Sequence, residues 1–127
     1  MSHFTCIKTQ IKERPYLIEA LKELDYEVQE NKLLDNPVDH EHEQVHVEVA
    51  IHNDIGFKWN SETETYELVA ELDEWDLDVP VSRFIEKVTQ QYAKATVLAT
   101  VEEQGFTLAE EHTKIDNSIE LTLTRWV

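Results

Sequence analysis

Cysteine is almost missing from this chain: Cys6 is the only one. A single thiol cannot close an intramolecular disulfide, and alone it cannot build a cysteine-based zinc or iron–sulfur site. Glycine is nearly as scarce, and two residues leave no room for a Gly-rich phosphate loop; no GxSxG nucleophile turn occurs either. Three prolines exclude the collagen-like and Pro-rich linker classes. No apolar run approaches the ~20 residues that cross a bilayer. The opening Met1-Ser2-His3-Phe4-Thr5 lacks the basic-then-apolar order of a secretory signal. Positive charge is also in short supply, with 11 Lys and Arg against 27 Asp and Glu, a formal net charge of −16. Protonating all six histidines would still leave −10. Such a surface repels phosphate backbones and anionic lipid headgroups. The densest basic cluster, Lys8, Lys12 and Arg14, is interrupted by Glu13. The expectation is a soluble protein of a reducing compartment, with no nucleic-acid partner and no membrane insertion. The acidity itself reads as solubility, or as steering toward a basic partner protein or a cation.

What is present suits one domain over residues 1–127. With 41% hydrophobic and 9% aromatic residues, a chain this long can bury a sizeable core. Residues 2–11 are rich in β-branched and aromatic types and predict a strand. Pro15 suits a helix start, and Leu17, Ile18, Leu21 and Leu24 form an apolar stripe over 14–24. Asp25 stands where a left-handed helix terminus is wanted. Tyr26-Glu27-Val28 opens a further strand, and the polar stretch 31–43, with Pro37, reads as a loop. From 44 to 52 the alternation predicts a half-buried strand with Val45, Val47, Val49 and Ile51 on one face. Ile55, Phe57 and Trp59 and then Tyr66, Leu68, Ala70 and Leu72 predict a hairpin. An acidic loop, 73–80, leads to a long second helix with Ser82 as its N-cap. Its stripe comprises Phe84, Ile85, Val88, Tyr92, Ala95 and Ala99, broadened by Val97, Leu98 and Val101, and Gly105 ends it. Residues 106–110 and 118–126 predict two closing strands.

The resulting order is β-α-β-β-β-β-α-β-β. The predicted class is α+β, a mainly antiparallel sheet with one short and one long helix packed on one face. The segment 20–30 weakly echoes the segment that starts at Ala99, a likeness that duplication or generic helix-to-strand chemistry would equally produce.

Candidate chemistry is sparse. His40, His42, His46 and His52 are all at even positions, so a continuous strand would project them from one face. His40 and His42 would lie about 7 Å apart and could share a metal; His46, about 13 Å further on, would need a bend to join them. Glu41, Glu43 and Glu48 could add oxygen ligands to a Zn²⁺, Ni²⁺ or Cu²⁺ site at His40, His42 and His46. The spacing fits no zinc signature, and the face reads first as solvated. Glu71, Asp73, Glu74, Asp76 and Asp78 surround Trp75. The order lacks the positions and turn glycine of an EF-hand. It reads as an exposed acidic loop or, functionally, as a protein-recognition loop of Trp75, Asp73, Glu74 and Asp76, because tryptophans anchor interfaces. Cys6 with His3 does not form a nucleophile pair, since the two point to opposite faces of one strand; Cys6 reads as a buried structural residue. Trp59, Trp126, Tyr66 and Tyr92 read as core and rim. No catalytic residue and no cofactor is expected.

Several segments in order carry a family resemblance: Met1-Ser2-His3-Phe4-Thr5 with Ile7-Lys8-Thr9, Tyr66-Glu67-Leu68-Val69-Ala70, Gln91-Tyr92-Ala93 with Thr96-Val97-Leu98, Gln104-Gly105-Phe106, and Arg125-Trp126. Together they resemble the domain of unknown function 1257, the hypothetical chloroplast reading frame 35 proteins of cyanobacteria and some algal plastids. The resemblance spans nearly the whole chain and implies a setting, cyanobacterial cytoplasm or plastid stroma, rather than an activity. It carries over no catalytic or binding residues. Asp25 departs from the glycine usual in such a turn.

Reactive groups converge at no recognisable spacing. The expected function is therefore a non-enzymatic accessory or protein-binding factor whose partner is another protein, a basic one by charge. The alternative is a metal-binding protein or metal-dependent enzyme using the histidine face. Oligomeric state is not legible in the sequence.

Overall fold

A computed structural model describes residues 3–36 and 43–125. The elements in order are β1 (Thr5–Lys8), α1 (Arg14–Glu23), β2 (Gln29–Asp35), β3 (Gln44–His52), β4 (Ile55–Asn60), β5 (Thr65–Ala70), a single 3-10 turn (Leu72–Glu74), α2 (Val81–Glu103), β6 (Phe106–Thr113) and β7 (Ile119–Arg125). The α+β class and the element order match the expectation. The first five strands form an antiparallel sheet in the order β1-β5-β4-β3-β2, and β6 pairs with β7 in a separate ribbon.

The helices form where local chemistry allows. Pro15 sits in the first turn of α1, where its missing N–H costs nothing. Leu24 caps the other end and Asp25 follows at φ 69°, the left-handed residue its position called for. α2 starts two residues earlier than a Ser82 N-cap requires: Pro80 is the N-cap, extended and with no side-chain cap, so Ser82 lies inside the helix. Gly105 ends it at φ 87° with open space where a Cβ would be.

The main core lies between the helices and one face of the sheet. Leu17, Leu21, Phe84 and Val88 meet Val49, Ile55, Phe57, Tyr66, Leu68 and Ala70 there. Phe84 is its hub, with Tyr26, Phe57 and Trp75 rings at 5.6, 6.2 and 5.4 Å.

A second, smaller core lies on the opposite face. Val69 and Ala50 pack there with Leu34 and Val47, flanked by Phe4 and Val45. Here the structure corrects the simple alternation. Val49 and Ile51 join the helix-side core, whereas Val45 and Val47 join the other one, so the side-chain sense reverses between 47 and 49. Asn31, at φ 53°, lies between the Glu30–Val49 and Lys32–Val47 pairs of the adjoining strand, the left-handed residue that lets the ribbon turn. The β2–β3 ribbon therefore bends there. Extended, Glu43 would stand about 30 Å along the strand from His52. Instead, the ribbon doubles back. Phe4 donates its backbone N–H to Glu43 at 2.8 Å, and the Asn36 amide reaches Glu71 beyond the end of β5 at 3.2 Å. The stretch 31–43, expected as loop, thus contains most of β2, and its outer half covers the far side of the sheet.

Candidate functional site

The sequence offered two sites, and they fall in different places. His40 and His42 lie outside the described residues. His46 is exposed on the folded-back half of β3, and the bend separates it from His52, exposed at the strand's other end. Among the described residues, no group of three or more His, Cys, Asp and Glu side chains is placed to hold a metal. Glu48 accepts the Trp59 backbone N–H at 2.9 Å, and Glu43 accepts from Phe4 and from the Asn36 amide.

Cys6 is exposed, contrary to the buried role expected. Its strand pairs with β5 at the sheet edge, so the face opposite the helices leaves it open, with Val69 as its cross-strand partner. Partial burial and then Glu67, with a smaller push from Glu43 and against the pull of Lys58, raise its thiol above the ordinary value. His3 turns toward Glu43, 3.9 Å away.

The acidic loop divides into two roles. Glu71 is only 3% exposed. One of its oxygens accepts the Asn36 amide and the other accepts the Asp73 backbone N–H at 3.0 Å, so it ties the folded ribbon to the 3-10 turn. Sequence reading placed Glu71 among exposed carboxylates because its partner lies 35 residues away. Asp73, Glu74, Asp76 and Asp78 are exposed. Trp75 is half-buried: its indole N–H donates to the Val79 carbonyl at 2.8 Å, and its ring stands edge-on to Phe84. The tryptophan thereby pins the loop to the core and holds the neighbouring carboxylates outward.

Beside this loop lies an open groove of about 270 Å³. Leu24, Leu77, Val79 and Phe84 give it an apolar floor, while Asp76, Asp78, Tyr26 and Lys87 line its polar parts. Burial, and then the Asp78 charge, raise the Tyr26 hydroxyl above its usual value, so Tyr26 stays a neutral hydrogen-bonding group. Asp76 also acts on Asp54 in the β3–β4 turn. That carboxyl is held above its ordinary value, first by burial and then by Asp76, against its own backbone amide and His52. Asp76 and Asp78 thus give the groove an acidic margin, with Asp54 close enough to Asp76 to feel its charge.

Trp59 and Tyr66 stack edge-on at 5.0 Å, with the Arg14 guanidinium donating to the Tyr66 hydroxyl, and Tyr92 accepts the backbone N–H groups of Lys12 and Glu13. These are packing roles, as expected. Trp126 lies outside the described residues.

Comparison with known proteins follows the same lines. A family model described as "Protein of unknown function (DUF1257)" matches residues 20–122. "Uncharacterized protein ycf35" of Pyropia yezoensis is 34% identical over 99% of this chain and 98% of its own length. The protein of that name from Guillardia theta is 35% identical over the same shares, and that from Cyanophora paradoxa 29% identical. No solved structure matches the chain significantly. No helix among the described residues is long and apolar enough to cross a membrane.

Proposed function

The chain belongs to the DUF1257 family of proteins of unknown function, and on that premise we propose that it is a non-enzymatic accessory protein that docks a basic segment of another protein. The docking surface is the groove beside Trp75, with Asp73, Glu74 and Asp76 on the loop that borders it. The setting is the plastid stroma or a cyanobacterial cytoplasm.

One observation carries the reading: an apolar floor of Leu24, Val79 and Phe84 adjoins the carboxylates of Asp76 and Asp78. A lysine or arginine has that composition in reverse, an apolar stem ending in a cation. Partner charge steers encounter and sets specificity, and a protein at −16 gains most from a basic partner. The reading is tested by adding an Arg- and Lys-rich peptide to the ¹⁵N-labelled protein. Shifts confined to Asp76–Val79, Leu24–Tyr26 and Phe84–Lys87, weakening as salt rises, support it. Shifts scattered over the whole acidic surface count against a built site. The metal alternative needs His40 and His42 to meet His46; metal analysis of the purified protein separates it from the docking reading.

A further inference from the structure

The β6–β7 ribbon lies along the outer side of α2, and it is poorly covered. Lys94 of α2 is bonded to Glu111 of β6 at 2.5 Å and to Glu23 of α1 at 3.7 Å, so β6 is the strand nearer α1. β7 forms the outer edge. Between it and α2 runs an open, largely apolar groove of about 220 Å³ with Ala93, Val97, Ile119 and Leu121 along it. Val97 is 45% exposed. A two-stranded ribbon alone is marginal in water, and here its apolar row is only half-buried.

Charge is withdrawn from this part of the molecule. After residue 80 the chain has five basic and seven acidic residues, a net −2, whereas residues 1–80 carry six and 20, a net −14. The two strands also differ. β6 is bulged between Leu108 and Glu110 and carries adjacent Glu110 and Glu111, two devices that discourage edge pairing. β7 shows neither device: its seven residues alternate Ile119, Leu121, Leu123 with Glu120, Thr122, Thr124, and it holds one acid and one base.

We infer that a second copy of this chain pairs with the β7 edge, antiparallel and about a two-fold axis at Thr122. That register is self-complementary. Leu121 falls opposite Leu123 of the second copy and Glu120 opposite Thr124, so all seven residues pair, both apolar rows share one face and no like charges meet. Pairing β6 with itself near its centre would instead bring Glu110 against its own copy when the axis is at Glu110, or set Leu108 opposite Glu110 when it is at Ala109. The product is a four-stranded sheet across two copies of α2, closing the groove at Ala93 and Val97 from both sides. This inference is independent of the docking groove beside Trp75, which lies at the N-terminal end of α2 by Phe84 and Lys87.

Sedimentation equilibrium of the full chain tests it. The wild-type protein is expected at twice 14.9 kDa at micromolar concentration. Thr122→Lys sets two lysines against each other across the axis, while within one chain it faces Glu110, so the fold is kept; this variant is expected at 14.9 kDa with an unchanged circular dichroism spectrum. His112→Lys, the same type of change on the outward face of β6, is expected to leave the dimer intact. A wild-type protein that stays monomeric to hundreds of micromolar overturns the inference. So does a Thr122→Lys protein that remains dimeric, because the contact then lies elsewhere.

Discussion

Val47 lies directly over Gly56: a Cβ on Gly56 would stand 2.7 Å from Val47 Cγ2 and 2.8 Å from the Val49 carbonyl oxygen. The folded half of the β2–β3 ribbon can seat its valines on the sheet only because β4 has no side chain at that point. Gly56→Ala is therefore expected to lower stability by about 1–3 kcal/mol, the range for overpacking a close-packed site. Urea unfolding measures it. Gly105→Ala meets open space and loses only the ease of a positive φ, about 1 kcal/mol. An unchanged stability in Gly56→Ala would contradict the close approach of Val47.

The ribbon is latched by Asn36 to Glu71 and Glu43. Asn36→Leu removes the amide and leaves a buried Glu71 oxygen without that donor, a cost of about 1–3 kcal/mol. Hydrogen exchange is expected to rise in β2 and the first half of β3 while β4 and β5 stay protected. Uniformly faster exchange over the whole sheet would mean that the folded ribbon is not a local unit.

Asp54 gives a pH dependence with a definite sign. Its carboxyl titrates higher in the folded chain than in the unfolded one, so ionising it opposes folding. The penalty is absent below the unfolded value near 4 and complete above the folded value. Asp54→Asn should thus stabilise the protein at pH 7, and the gain should shrink as pH falls through the carboxylate range. A gain that grows toward pH 4 would reverse the assignment.

Cys6 is open to reagents but poorly ionised, because burial and Glu67 disfavour its thiolate. Alkylation by iodoacetamide at pH 7.5 is expected to run several-fold slower than for a cysteine peptide, and Glu67→Gln should speed it. A rate above that of the free peptide contradicts this environment.

Trp75→Ala is expected to cost about 2 kcal/mol, less than a full aromatic deletion because the ring is half-buried against Phe84. Thermal unfolding checks it, and an unchanged midpoint would mean that the loop is not pinned by its indole. A loss of binding in this variant alone would confuse stability with recognition, so neighbouring carboxylates are the better probes.

Much of the fold was legible because local chemistry decided it. The 3.6-residue stripes of α1 and α2, the hairpin of β4 and β5, and the helix ends at Asp25 and Gly105 all follow from short-range patterns. The reversal between Val47 and Val49 was not, since it depends on contacts between residues far apart in sequence. Glu43 meets Phe4 across 39 residues, and Glu71 meets Asn36 across 35. The sequence signal for it, unused in the reading of the strands, is Gly56, a lone glycine within an apolar strand, which marks a close approach of another chain segment. At the candidate site the sequence found the acidic loop and its tryptophan. It could not separate Glu71, which is buried and structural, from the outward carboxylates, because burial is set by tertiary packing rather than by neighbours in the chain.

The most direct measurement is retention of a basic partner by the tagged protein in an extract of its own cells, wild type against the Asp73→Asn/Glu74→Gln/Asp76→Asn variant. The three side chains are exposed, so the variant should fold with an unchanged melting midpoint. The docking account predicts a basic protein held by the wild type, released by salt and lost from the variant. A partner held equally by both proteins, or no basic protein held by either, contradicts it.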